Sequence, residues 1–547
     1  MLNYAITILI FLPLLAMLMV LAIPKSKQGS IKWISLAVSG IQLLVLAGMV
    51  MNYHAYAVQA LESTARQTFY FLERSAWINM DLGNFGIFKA EYLVAVDGLS
   101  FPLLGMSVFV MLIAVMASWK NEQHVKAYFA LLLLLNAAIM GSFTALDMLL
   151  FYLFFEFMLL PMFFLIGIWG GARREYASIK FFLYTLLGSV LILIVMIGLY
   201  ISVVEPLPMD ALNQKPVHSF NMLLMTEPGN FEAGSVLSYV NDSAINYRNW
   251  AFLLLFIGFA IKLPAVPLHT WLPDAHVEAP TAISVILASI LLKIGGYGLL
   301  RIAYPIFPDA ALANSWLLGC IGVISIIYGA LNAMASKDLK RLIAYSSVSH
   351  MGFVLLGIAS ATHEGFNGAI YQMFSHGLIS AMLFLIAGVL YDRTHDRTIA
   401  NYSGLFKVVP QYTAFVIIAF FASLGLPGFS GFIAELMVFL GAFKSPESNG
   451  LIPYWMAIVS TLGLILGAAY YLWTLQRMFF GKYDIKATVG LNTISDLNTR
   501  EKIMLVSLSI FIILFGLLPQ QLINFIEPFT MHLIDLVSPY FNLQTTF

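Results

Sequence analysis

Residues 259–301 read FAIKLPAVPLHTWLPDAHVEAPTAISVILASILLKIGGYGLLR. Two lysines, Lys262 and Lys293, stand in runs otherwise fit for a lipid interior. An ammonium at the centre of a bilayer costs roughly 3 kcal/mol on insertion scales, so buried charge of this kind marks function. The same stretch decides the fold. A helical apolar run is interrupted at Lys262-Leu-Pro264, because proline removes a backbone hydrogen bond and clashes with the preceding turn. A second long apolar run then begins near residue 281.

The whole chain repeats that texture. Of 547 residues 60% are hydrophobic and only 10% charged, more apolar side chain than a soluble domain can hide. A core about 30 Å thick needs about 20 apolar residues per helix. On that ruler fourteen spans lie near 4–23, 31–52, 98–118, 126–144, 147–169, 177–203, 249–270, 281–303, 315–335, 340–359, 365–390, 412–443, 452–476 and 503–520. Long uniform runs rather than short alternating ones give helices and not a barrel, so the fold class is an all-α polytopic membrane protein. The first span has its lysines after the apolar run, so it reads as a retained helix rather than a signal peptide.

Basic residues set the orientation. With the N-terminus outside, 19 Lys and Arg fall on the cytoplasmic side and 7 on the other, leaving Lys262 and Lys293 inside spans. Both termini are therefore expected on the outer side of the membrane. The two long outer loops, 53–97 and 204–248, read as cover for the bundle. A second interruption, at Leu426-Pro427-Gly428, echoes the one at Pro264, and paired broken spans point to transport sites.

Net charge is zero, which gives no sign of a nucleic-acid partner. One cysteine, Cys320, can hold neither an iron–sulfur cluster nor a structural zinc, and no dinucleotide or phosphate loop stands out. The glycines of GGYG, Gly295–Gly298, read as points of close helix contact. Histidine pairs spaced to ligate a haem are also missing from the sequence. What remains is six ionisable groups inside spans: Glu156 (LFFEFMLLPM), Lys262, Lys293, His350, His376 and Glu435. One such group could merely tie helices together. Six on six helices read as a row of proton-exchanging sites. Burial disfavours charge and a nearby opposite charge restores it, so making or breaking a Glu156–Lys262 pair changes proton affinity. Moving a proton against 100 mV costs about 2.3 kcal/mol, within reach of such a switch.

These residues also carry a resemblance. The stretch 259–301, with KDLKRLIAYSSVSHMGF at 337–353 and SHGLISAMLFLIAGVLYDR at 375–393, is similar to the antiporter-like subunits of respiratory complex I and of multisubunit Na⁺/H⁺ antiporters. It covers roughly residues 95–480. The resemblance implies two inverted five-helix repeats, each with a broken helix, at 126–303 and 304–480, preceded by helices 1–3 (1–125) and followed by a last helix and tail (481–547). It implies Glu156 and Lys262 as an electrostatic switch, Lys293 as the connecting proton carrier, and His350 and His376 as the continuing wire. The second broken helix of L-type, N-type and antiporter chains usually carries lysine. Here LPGFSGFIAELMVF at 426–439 carries Glu435, which resembles the M-type branch, and Glu435 is expected to face His376 and Lys293. The implied activity is proton translocation coupled to NADH oxidation and quinone reduction elsewhere. The alternative is a subunit of a Na⁺/H⁺ antiporter or of a membrane-bound hydrogenase complex. No cofactor is expected in this chain: NADH, FMN, iron–sulfur clusters and quinone belong to the whole complex. The implied partners are other membrane subunits, with L-like and N-like chains as lateral neighbours, and lipids.

Overall fold

The computed structural model describes residues 2–59, 68–81, 83, 87–206, 216–239, 245–486 and 494–541. Arg66 and Lys215, two of the basic residues counted on the outer side, lie outside the described residues. The bundle opens with α1 (Ala5–Ala22), α2 (Gln28–Met51), α3 (Ser100–Ala117) and α4 (Val125–Thr144). A crossing built of α5 (Met148–Phe157) and α6 (Leu159–Trp169) follows, then α7 (Arg174–Ser202). The first broken crossing is α8 (Tyr247–Lys262) and α9 (Trp271–Glu278). Next come α10 (Thr281–Ile306), α11 (Ser315–Ala335), α12 (Leu339–Ser360) and α13 (His363–Thr394). The second broken crossing is α14 (Pro410–Ser423) and α15 (Ser430–Ser448). The chain closes with α16 (Tyr454–Phe479), α17 (Thr499–Leu517) and α18 (Gln520–Val537).

Among the described residues eleven unbroken helices are long and apolar enough to cross a membrane, and α17 with α18 passes the same test as a pair bent by 70°. With the two broken crossings this is roughly consistent with the expected count of about fourteen spans. The first break falls at Pro264, whose ring lacks an N–H and cannot continue the helix, and at the second Gly425 and Gly428 take left-handed φ of +72° and +98°.

The outer loops are more ordered than cover. They form a four-stranded sheet of β1 (Ala57–Gln59), β2 (Thr68–Asp81), β3 (Ile87–Val96) and β4 (Val217–Ser219). The first three pair antiparallel, and β3 and β4 pair parallel, which brings both long loops to one end of the bundle. A search for helix-length apolar runs passes over such strands, whose buried apolar runs, Phe69–Phe71 and Leu93–Val96, are only three and four residues long. A two-stranded pairing of β5 (Tyr402–Ser403) with β6 (Asp484–Ile485) joins two later loops.

Two further differences concern charge. Lys340, counted with a cytoplasmic loop, lies inside α12 and is buried, and Arg301, counted outside, lies within α10 and is buried. Within the tail, Gln520–Val537 form the amphipathic helix α18, whose Ile526 and Phe529 are buried.

Candidate functional site

Three helices hold the centre. The most apolar stretches of α10 and α13 are buried throughout, and that of α12 nearly so. These carry Lys293, His376 and His350, so the three residues that most need neighbours sit where neighbours are on every side.

The first charged group stands at the first break. Lys262 ends α8, with the chain beyond it leaving the helix. Its ammonium donates to the Phe155 carbonyl at 3.3 Å and lies 3.0 Å from the centre of the Phe155 ring. This cation–π seat makes up part of the lost hydration. Glu156, the next residue, is half-buried, and its Oε1 is shielded without a hydrogen-bond partner. Among the described residues no ion pair within 4.0 Å joins Glu156 to Lys262. The lysine is thus held by Phe155, the residue beside the glutamate. Gly295 lets α10 meet this break backbone to backbone, since a side chain there would strike Leu263 N and Phe259 O. The close-contact reading of the GGYG glycines matches this packing.

The second group is continuous. α10 winds as a π-helix at Leu287–Leu291 and again at Leu299–Ala303, on either side of Lys293. Such turns are frequent at functional sites. Lys293 donates to the Ala288 carbonyl, five residues back, at 2.6 Å, and meets His376 Nδ1 at 2.8 Å. The rings of His376 and His350 lie 5.2 Å apart. His350 Nδ1 stands 3.5 Å from Glu435 Oε1. Lys293, His376, His350 and Glu435 thus run in one line across four helices. Glu435 faces His350, not His376 and Lys293 as expected; His376 shares its cavity and Lys293 lies one step further. That cavity, about 10 Å³, has room for about one water between His350, His376, Ser423 and Glu435. Gly425 leaves room for the Glu435 carboxyl, because a side chain at that left-handed position would strike Glu435 Oε2.

Several members escaped the sequence reading. Gln372 and Ser423 bond the two nitrogens of His350 at 3.2 and 3.3 Å. Ser423 continues to Tyr471 at 2.7 Å, and Tyr471 to Ser346 at 2.9 Å. His276, on α9, is buried with neither nitrogen bonded and its ring stacked 4.3 Å from that of Phe384. Lys340 donates to the Ala279 carbonyl at 2.8 Å and to Ser284 at 3.3 Å. Serines, tyrosines and short polar helices are too common in sequence to be singled out; His276, beside the first break, was the one with a legible signal. Among the described residues no cluster of three or more His, Cys, Asp or Glu is placed to hold a metal ion.

Residues 145–464 match the model of a family described as NADH:quinone oxidoreductase/Mrp antiporter, TM. The NADH-quinone oxidoreductase subunit M of Rhodobacter capsulatus is 39% identical over 97% of this chain and 96% of its own length. The chain belongs to the NADH-quinone oxidoreductase subunit M family. A chain of respiratory complex I from Thermus thermophilus with bound NADH superposes with a TM-score of 0.79, at 28% identity, covering 98% of this chain and 100% of that one. A chain of the Mrp complex from Dietzia has a TM-score of 0.75 at 20% identity over 99% of both chains, a likeness of fold alone.

Proposed function

We propose that this subunit M-type chain carries protons across the bacterial inner membrane within an NADH-quinone oxidoreductase. The observation that supports it is the unbroken line Lys293–His376–His350–Glu435. Each member can gain and lose a proton, and each lies within contact, or about one water, of the next. Glu156 and Lys262 act as the switch. When Lys262 leaves Phe155 for Glu156, its charge is neutralised at a different place, and the field on Lys293 changes. Lys293 then hands its proton to His376 Nδ1, and the proton passes by His350 to Glu435, which releases it where the second break admits water. The two repeats, 126–303 and 304–480, each supply one break.

The chain is the translocating part of an enzyme whose redox chemistry lies elsewhere. NADH, FMN, iron–sulfur clusters and quinone are handled by other subunits, and L-like and N-like chains are its lateral neighbours. Both termini face the periplasm. The test is Lys293→Ala beside Glu156→Ala, with assembly confirmed and proton uptake measured in inverted vesicles. Both variants are expected to assemble and to lose most NADH-driven uptake, about tenfold or more. Normal uptake by an assembled Lys293→Ala complex would end this reading.

A further inference from the structure

Lys293 also has neighbours further along its own helix. Tyr297 and Arg301 follow it at four and eight residues, one side of the same helix. The Arg301 guanidinium lies 5.6 Å from the centre of the Tyr297 ring. Tyr297 is buried and donates to the Phe143 carbonyl at 3.2 Å. Arg301 Nη2 then meets Asp97 Oδ1 at 2.5 Å, with both residues buried, while Arg301 Nε is shielded and unbonded. Asp97 also accepts from Leu99 N and Ser100 N at the start of α3, which fixes it in place.

The C-terminal helix closes this end. Phe529 of α18 lies 5.1 Å from the guanidinium. A side chain at Gly98 would strike the carbonyls of Phe525 and Ile526, so α18 rests on the backbone beside Asp97. Between them is a cavity of about 20 Å³, lined by Arg301, Thr226, Phe529 and His532, with room for about one water. A path from Lys293 to the sheet end would therefore be short, through a tyrosine hydroxyl and a wettable cavity, were it not for Arg301.

We propose that Arg301, set in its contact with Asp97 and capped by α18, is a proton barrier that closes the outer end of the Lys293 helix. This rests on the reading of Lys293 as a proton carrier. Lysine, histidine, tyrosine and carboxyl groups can all pass a proton on; a guanidinium in a protein does not give one up. Fixed arginines exclude protons from other membrane pores for the same reason. Its contact with Asp97 also occupies the carboxylate oxygen that would otherwise accept from the Tyr297 side. The barrier forces the charge on Lys293 sideways to His376.

The experiment reconstitutes the assembled complex in liposomes without NADH and follows the collapse of an imposed pH gradient. Arg301→Gln is expected to speed the collapse about tenfold, whereas Asp97→Asn, which keeps the guanidinium, stays as tight as wild type. A merely structural pair would fail equally in both. An assembled Arg301→Gln complex as tight as wild type overturns the proposal. If Arg301→Gln does not assemble, Arg301→Lys decides. An ammonium can release its proton, so a leak growing toward about pH 9 is expected, and tightness throughout overturns the barrier. Adding Lys293→Ala to the leaking variant should stop the leak. A leak that survives it leaves the barrier standing but sinks Lys293 as the carrier.

Discussion

Glu435 shows how much one residue's neighbourhood decides. Its Oε1 stands 3.5 Å from His350, and its other oxygen lies where a Gly425 side chain would be. A carboxylate so placed can take a proton from His350 and release it toward the break, whereas an amide of the same shape cannot. Glu435→Gln is therefore expected to assemble but to lower NADH-driven uptake about tenfold or more, and Glu435→Asp to keep part of it. Gln pumping like wild type while Asp fails would show that shape, not proton exchange, is what the position needs. The structure alters the meaning of Glu435→Lys. It would put an ammonium beside His350, two steps from Lys293 rather than against it.

The sheet end and the first helix are joined by one buried carboxylate. Glu73 of β2 accepts from Ile6 N at 2.9 Å and from Thr7 N at 3.3 Å, and also from the Thr7 hydroxyl, at the start of α1. A carboxylate from 66 residues away thus serves as the helix cap that Tyr4 does not provide. Burial raises the Glu73 pKa, while the Thr7 and Ile6 bonds lower it in part. The folded state thus favours the neutral form. Its contribution is fully present below the unfolded value of about 4.3 and is lost as pH rises through the folded value. At neutral pH Glu73→Gln should therefore hold the junction, and Glu73→Ala should weaken it by about 1 kcal/mol. Amide exchange at Ile6 and Thr7 would report this as roughly fivefold faster opening in Glu73→Ala only. Equal acceleration in both variants would assign the junction to the charge instead.

At the scale of the whole molecule, orientation is the claim most open to test. The sheet gathers the 53–97 and 204–248 loops at one end, and the β5–β6 pairing joins loops that the basic-residue count assigns to the other. Lys340 and Arg301 leave that count without changing its sense, since one comes from each side. Cysteines introduced at 336–338, ahead of α12, are expected to react with impermeant reagents only in inverted vesicles, after Cys320 is replaced by serine. Labelling in intact cells would invert the topology, and with it the direction assigned to Glu435 and to the Arg301 barrier.

The approximate number of crossings, both breaks and the six ionisable groups inside spans were legible in the sequence, for one physical reason. A charge, a proline or a glycine inside an apolar run is costly, and the cost is visible one residue at a time. Which of those groups touch was not legible. Lys262 rests on Phe155 rather than on Glu156, and Glu435 meets His350 rather than His376. Contact depends on the rotation and depth of each helix against its neighbours, which apolar runs this uniform leave unspecified. The same holds for Tyr471, Ser423, His276 and the Arg301–Asp97 pair, which become part of a site only through what is folded against them. The strands at the sheet end were hidden for a different reason. Their apolar runs are short, and the pairing of β3 with β4 joins segments far apart in the chain, a partner that local composition does not record.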